Sequence, residues 1–449
     1  MVQPRSLRVI ALWLVCYFVL GATAHADSLA VALDPPRKVV GFELRGKTKL
    51  KLRVLPYLAH LELGDYVRDR DRARIKAYLI SWDLFASAEV TLEEAPGGVT
   101  VVATLKDRHS WLVAPTFYLQ SGQRSLGVGY VDSNFRGLNQ KVLAYGQIGE
   151  RDNLIFGTFL DDNVKGTDLI LRADVYAYSK QISEYVNPED DPTSTEIGRT
   201  AQHNYLGGGF LLGWNCEWWC KIHLRQRAAY VYFKESQAPD GTPLPNPSTD
   251  GWDVTSQLWF NFDLRQQAFG VRWGPYLQLM GETSIPGLDD YDYSMALLRA
   301  YYSFLLFGSH QLELRTNLQI GRTLPVQEEL LTGGVTDLRG YALDQFRGDR
   351  RAFFRLEYSW PIVKLSALRF RGVAFYDSAY NGFHSPRTDG KRDYLPTQAK
   401  GASWFRNNVG AGVRMYVGWV VVPVLGLDIA RGLEGKGTQL VFEIGFTDF

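Results

Sequence analysis

The sequence predicts a mainly β protein, in which one small α+β domain precedes an antiparallel transmembrane β-barrel of about sixteen strands. Apolar and polar residues alternate along many segments, 312–320 and 352–360 among them, and a period of two residues is the pattern of a strand with one face in water. Aromatic residues make up 13% of the chain and glycines number 43, which suits the aromatic girdles and close strand contacts of a membrane barrel. An export leader is expected ahead of both domains.

The leader is predicted over residues 1–26. Arg5 and Arg8 precede the apolar run Val9–Leu20, and Ala24-His25-Ala26 supplies a small-x-small cleavage site, so the segment has the three parts of a secretory signal peptide. The apolar run is too short to cross a bilayer as a helix, which needs about 20 residues. The remainder of the chain is therefore expected outside the cytoplasm.

The net charge, the share of charged residues and the motif content argue against several classes of function. The formal net charge is +1, which argues against bulk nucleic-acid binding, and 22% charged residues argue against a helical membrane bundle. The sequence contains no G-x-S-x-G, H-E-x-x-H or phosphate-loop motif. No catalytic residue, metal site or cofactor is predicted.

Residues 37–108 are predicted to form the small α+β domain, with the order strand, helix, helix, strand, strand. Asp69 is expected to cap the second helix, whose buried face would carry Ala73, Ala77 and Ile80. The turn Ala95-Pro96-Gly97-Gly98 then separates two alternating strands. A small sheet of this kind has an exposed edge, to which an extended peptide can add as a further strand.

Residues 109–449 are predicted to form the barrel. Leu312, Leu314 and Leu318 share one face of a strand, and Glu313 and Arg315 share the other. A soluble β-sandwich would also alternate, but it would not place arginines and glutamates in ladders on an inward face. An even number of strands returns the C terminus to the side of the small domain, and it places the long polar stretches 184–200, 234–251, 324–350 and 380–403 on the outer side.

Leu338-Arg339-Gly340-Tyr341, which follows Gly333-Gly334 in one of these loops, is the predicted functional motif. A buried arginine requires carboxylate partners, because its guanidinium group stays charged. Strand parity turns Phe375 and Asp377 toward the lumen, and we predict a specific bridge between Arg339 and Asp377. Asp428 and Glu443 are luminal by the same argument and are candidate additional partners. The alternative is that Arg339 is one of many luminal arginines balanced by many carboxylates.

These motifs resemble one family. The L-R-G-Y loop and the later Phe375-Tyr376-Asp377-Ser378-Ala379 segment are similar to motifs of the BamA/TamA superfamily of outer-membrane barrels, the bacterial surface antigen type, although Ala379 stands where that family usually has glycine. The small domain likewise resembles a single POTRA domain, and an unrelated α+β domain is the alternative. Phe449, as the last residue, resembles the terminal signal by which such barrels are recognised.

The resemblance implies a function in which no chemical reaction is catalysed. It implies that the barrel inserts or secretes other proteins, that the loop folds back into the lumen, and that the first and last strands, near Trp111–Leu119 and Leu440–Phe446, pair weakly enough to open sideways. The expected partners are the lipid bilayer of a Gram-negative outer membrane, an unfolded outer-membrane or secreted client, and, as further candidates, periplasmic chaperones or accessory lipoproteins. A passive porin is the alternative function.

Cys216 and Cys220 form the other candidate feature. An even number of cysteines in an exported segment favours a local disulfide, and two free thiols are the alternative. A zinc site would need two further ligands, and only His223 lies nearby in sequence, so no metal site is predicted.

Overall fold

The computed structural model describes residues 34–82, 84–120, 123–186, 194–217, 219–268, 271–334, 336–365, 368–395, 405–417, 423–434 and 438–444. The expected leader and the terminal Phe449 lie outside these described residues. None of the helices in the described part of the chain is both long and apolar enough to cross a membrane.

The N-terminal module is a four-stranded sheet covered on one face by two short helices. The elements are β1 (Arg37–Lys47), a 3-10 turn (Leu52–Val54), α1 (Leu55–Ala59), β2 (Tyr66–Val67), α2 (Asp71–Ser81), β3 (Phe85–Ala95) and β4 (Gly98–Asp107). The strands follow the order β2-β1-β4-β3, with β1 and β4 parallel and the other pairs antiparallel. Leu55, Leu58, Ile75, Leu79 and Phe85 form the centre of the module's apolar core.

The buried face of α2 differs from the predicted one. The helix begins at Asp71 and buries Ile75 and Leu79, whereas Ala73 and Ala77 are exposed. Ile75 and Leu79 lie one helical turn apart, and their side chains remove more apolar area from water than two alanines do. The expected face was therefore wrong for the two alanines, because the larger side chains decide which face is buried, whereas Ile80 packs partly buried against the core.

The second domain is a closed antiparallel barrel. The strands are β5 (Trp111–Gln120), β6 (Gln123–Phe135), β7 (Gln140–Gly149), β8 (Asp152–Asp161), β9 (Leu169–Tyr185), β10 (Ile197–Glu217), β11 (Cys220–Gln237), β12 (Gly251–Asp263), β13 (Gln266–Ala268), β14 (Val271–Ser284), β15 (Ser294–Leu306), β16 (His310–Arg322), β17 (Leu330–Thr332), β18 (Phe346–Gly348), β19 (Arg350–Leu365), β20 (Leu368–Gly382), β21 (Arg406–Val417), β22 (Pro423–Gly432) and β23 (Thr438–Ile444). The barrel contains the predicted sixteen strands when β12 and β13, which both pair with β14, are counted as one interrupted strand. β17 and β18 form a separate hairpin inside the loop between β16 and β19.

Strand parity is as the sequence pattern indicates. On β9, Val175 is 67% exposed on the outer wall while its neighbour Asp174 is 4% exposed in the lumen. On β20, Tyr376 is exposed on the outer wall, and Phe375 and Asp377 are buried inside. The apolar face therefore points outward, as a barrel surrounded by lipid requires.

The module is docked against the turns at one end of the barrel. Leu138, in the turn between β6 and β7, packs against the module's apolar core, and Lys51 N donates to Gly137 O at 2.8 Å. Asn215 Nδ2 donates to the Tyr57 hydroxyl at 2.9 Å. The long loops lie at the opposite ends of the strands, where the buried residues Arg199 and Arg392 connect three of them through ion pairs.

Candidate functional site

The loop between β16 and β19 folds back into the barrel as the β17–β18 hairpin, and its tip carries the predicted motif. Gly333 and Gly334 have φ angles of +124° and +89°, a conformation that favours glycine, and they turn the chain after β17. The tip residues Leu338, Arg339 and Tyr341 are all buried. The motif is thus presented to the lumen wall and not to solvent.

The Arg339 guanidinium group binds carboxylates on three strands, β19, β20 and β22. Nε donates to Asp377 Oδ2 at 3.1 Å and Nη2 donates to Oδ1 of the same carboxylate at 3.2 Å. Nη1 donates to Asp428 Oδ2 at 3.0 Å and to Glu357 Oε2 at 3.2 Å. The guanidinium carbon also lies 3.1 Å from the centre of the Phe375 ring, which places the cation on the ring face.

The charges around Arg339 are balanced. Arg355 Nε donates to Asp377 Oδ1 at 2.7 Å, and Arg414 Nη2 donates to Asp428 Oδ2 at 2.7 Å. Three arginines therefore face three carboxylates, on the tip and on strands β19 to β22. Burial disfavours the charged form of Arg339, but the carboxylates outweigh that effect and raise its pKa above the ordinary value. The guanidinium group of Arg339 at the tip is therefore permanently charged, and the surrounding carboxylates neutralise it.

Glycines allow the tip to approach the wall. A Cβ atom on Gly340 would lie 2.5 Å from Gly432 N, and one on Gly432 would lie 2.9 Å from the Tyr341 ring. On β21, a Cβ on Gly410 would meet the Phe375 ring at 2.2 Å, and one on Gly412 would collide with Asp428. Backbone and side-chain atoms already occupy the places where these Cβ atoms would lie. The docking of the tip therefore requires glycine in the tip itself, on β21 and on β22.

Tyr341 completes the tip. Its hydroxyl donates to Glu434 Oε2, and its ring packs edge-on to Phe346 at 5.4 Å. Burial, followed by the Glu434 carboxylate, raises the pKa of Tyr341 above its ordinary value, so the hydroxyl keeps its proton as a donor. Ala379, where the resembling family has glycine, packs in the same apolar cluster as Leu338 and Tyr341. The alanine methyl group is thus accommodated beneath the tip.

The first and last barrel strands meet at a seam. Among the described residues, β5 and β23 pair at three positions, Leu119 with Phe442, Tyr118 with Glu443 and Phe117 with Ile444. These pairs close the barrel, and no turn or loop joins the two strands directly, because they are the first and last strands of the barrel.

Comparison with known proteins agrees with this arrangement. A family model for the Omp85 superfamily domain matches residues 134–426, which includes the tip motif and most of the barrel. The chain belongs to the Omp85 superfamily. This membership confirms the predicted BamA/TamA-type resemblance and identifies the chain as an outer-membrane β-barrel. A search among curated proteins gave no match.

Solved structures share the fold of this Omp85 chain. BamA from Haemophilus ducreyi lacking POTRA domains 1–3 aligns with a TM-score of 0.61 at 14% identity, over 91% of this chain and 85% of that one. CdiB from Acinetobacter baumannii aligns with a TM-score of 0.59 at 15% identity, over 91% and 74% of the two chains. CdiB from Escherichia coli aligns with a TM-score of 0.55 at 12% identity, over 99% of both. At these identities, the likeness concerns the fold.

The structure brings most of the predicted motif residues together. Leu338, Arg339, Gly340, Tyr341, Phe375, Asp377 and Asp428 lie at one place on the wall. Glu443 lies on β23, but its side chain is outside the described residues. Sequence reasoning missed the roles of Glu357, Arg414 and Gly432. Parity could have placed Glu357 in the lumen, but parity carries no information about its height along the barrel.

Cys216 and Cys220 lie at the module end of this Omp85 barrel, away from the tip. They are joined as a disulfide at the junction of β10 and β11, with their Cα atoms 5.5 Å apart. Within the described ranges, no group of three or more His, Cys, Asp or Glu side chains is arranged to hold a metal ion.

Proposed function

We propose that this protein assembles or translocates other proteins at the outer membrane, by handling client chains at the seam between β5 and β23 and without a chemical step. Membership of the Omp85 superfamily supports the general role. The observation that carries the specific proposal is that the barrel closes by pairing its first and last strands, β5 and β23, which no hairpin connects.

A seam between the first and last strands has a direct physical consequence in lipid. Opening a strand pair in a bilayer exposes backbone N–H and C=O groups, and each unsatisfied group costs several kcal/mol. Every other neighbouring pair of the described barrel strands is consecutive in the chain and is tied by a turn or loop, whereas β5 and β23 are not, so the seam is the pair that can separate most readily. An arriving client strand could then satisfy the exposed edge through backbone hydrogen bonds, whatever its side chains.

We further propose that residues 37–108 form a POTRA domain in the periplasm and bind the unfolded client. β3 lies at the edge of the module's sheet, where β4 is its partner strand. An edge strand presents a row of backbone groups to which an extended chain can pair. The likeness to the BamA and CdiB structures, which extends over 91–99% of the chain, supports this assignment.

Locking the seam should abolish client handling. Leu119→Cys with Phe442→Cys places two cysteines at directly paired positions, where an engineered disulfide would hold β5 to β23. We expect the oxidised double variant to form a folded barrel that fails to restore client proteins to a deletion strain. The measurement is the abundance of outer-membrane and secreted proteins by quantitative mass spectrometry.

The matched control is Leu126→Cys with Ile148→Cys, a directly paired position on β6 and β7, which should retain activity when oxidised. Adding reductant should restore only the seam variant, and the wild type under the same reductant accounts for reduction of the native disulfide. Full activity of the oxidised seam variant would exclude the seam as the route. A steady large conductance of the purified protein would then favour a passive channel.

Removing Arg37 to Lys106 should leave a folded barrel that no longer handles clients. The barrel strands close on themselves without the module, so the truncated chain should still migrate as a compact species in unheated detergent gels. Tyr57→Phe is the control, because it removes the hydrogen bond to Asn215 and leaves the β3 edge intact. Unchanged client levels after the deletion would show that the module is not the receptor.

A further inference from the structure

The loop that carries Arg339 also contacts the opposite side of the lumen, before its hairpin begins. Residues Val326–Glu328 form a 3-10 turn, and Leu324, Val326 and Leu330 are buried in an apolar cluster with residues of β9 to β11. The cluster includes Tyr205 and Val231 on the wall. The first limb of the loop is thus packed against a different wall from the tip.

An arginine on this wall holds the limb. Arg227, on β11, donates from Nη1 to Glu328 Oε1 of the loop at 2.8 Å. Its Nη2 donates to Asp253 Oδ1 at 2.9 Å and lies 3.3 Å from Glu282 Oε1. The Tyr205 hydroxyl accepts a further hydrogen bond from Nη1 at 2.7 Å. Arg227 is therefore the common partner of two wall carboxylates and one loop carboxylate.

The surrounding hydroxyl groups complete this network. The Tyr205 hydroxyl donates to Asp253 Oδ2 at 3.0 Å, and Tyr293 lies between Asp253 and Glu282 at 3.1 and 3.4 Å from their oxygens. Asp253 and Glu282 are both buried. A buried carboxylate is costly unless it is paired and hydrogen-bonded, so the three carboxylates depend on Arg227.

We propose that Arg227 and Glu328 form a second anchor for the loop, on the wall of β11 to β14, opposite in polarity to the anchor at Arg339. At the tip, the loop supplies a cation to wall carboxylates; at the second anchor, it supplies a carboxylate to a wall arginine. The loop is thereby braced between two walls, and Arg227 is a positioning residue. This inference goes beyond the proposed function and holds whether or not the barrel handles clients.

A cysteine at position 327 can report release of the limb. The Gln327 side-chain amide has no hydrogen-bond partner among the described residues, so Gln327→Cys removes no observed hydrogen bond. Cys216 and Cys220 are joined to each other, and Cys16 lies in the expected leader, so the new thiol is the labelling site once the leader is removed. The full-length protein in outer-membrane vesicles is treated with a membrane-impermeant maleimide, and the labelling rate is measured on the folded fraction.

Arg227→Gln should raise the labelling rate by about tenfold or more, because it leaves three carboxylates facing one another without their cation. Glu328→Gln keeps an oxygen acceptor for Arg227 and should raise the rate less than Glu328→Ala does. Arg225→Gln is the matched control: Arg225 lies two residues away on the same luminal face and bonds to wall residues Asp174 and Gln257. It should leave the rate within about twofold of the parent.

An Arg225→Gln effect as large as that of Arg227→Gln would overturn the proposal, as would an unchanged rate in Arg227→Gln. If Arg227→Gln fails to give a folded barrel, the two Glu328 variants decide the question. Equal labelling of Glu328→Ala, Glu328→Gln and the parent would then show that the carboxylate does not hold the limb.

Discussion

Arg339→Ala should lower the free energy of unfolding of the barrel by about 3–5 kcal/mol and release the loop tip, since it removes one member of a buried ionic network. The network is neutral when complete, and the substitution leaves the three carboxylates Glu357, Asp377 and Asp428 with two arginines. An exposed ion pair would lose at most about 1 kcal/mol. The magnitude therefore distinguishes a buried anchor from a surface contact.

Asp377→Ala should cost a similar amount for the opposite reason. It leaves Arg339 and Arg355 without the carboxylate that both contact, so the network gains a net positive charge. The double variant Arg339→Ala with Asp377→Ala is neutral again and should be little worse than either single variant, because coupled residues are not additive. Urea unfolding of the barrel in lipid vesicles measures these differences, and client levels in cells should follow the same order.

Arg322→Ala is the control, because Arg322 is exposed at the end of β16, and a surface substitution of this kind changes stability by less than about 0.5 kcal/mol. Additive losses in the double variant would argue that Arg339 and Asp377 act independently. The loop-anchor interpretation would then lose its support.

Gly340→Ala should also undock the tip, although it removes no charge. The new Cβ would lie 2.5 Å from Gly432 N, and the strand backbone of β22 cannot move aside as a flexible side chain can. Overpacking of this kind costs about 1–3 kcal/mol, which corresponds to a rise of roughly 5- to 150-fold in the population of released tip. The readout is trypsin cleavage after Arg339, a bond that the docked tip protects by burial.

Gly432→Ala should reproduce the effect from the opposite side, because its Cβ would press on the Tyr341 ring at 2.9 Å. Gly281→Ala and Gly146→Ala are the controls, since a Cβ at either position meets no atom within 4 Å. If all four variants are cleaved after Arg339 at the same rate, close packing of glycine does not hold the tip.

Much of the barrel and part of the site follow from local pattern. The period of two residues assigns Phe375 and Asp377 to the same face, and the charge of Arg339 requires an acidic partner wherever the loop is buried. Alternation does not determine the vertical offset between strands, so Glu357 and Arg414 could not be selected among the other luminal charges. Gly432 was missed for the same reason, because its contact with the tip joins segments far apart in sequence.

The sequence by itself determined the fold class, the number of strands and the face of each strand that carries the charged side chains, because these follow from chain geometry and the segregation of apolar residues. Only the tertiary structure decided which charges meet, where the module docks against Leu138, and that Glu328 reaches Arg227. Those contacts depend on strand stagger and on the path of a loop through the lumen. Both are set by the summed packing of the closed barrel and not by any local run of residues.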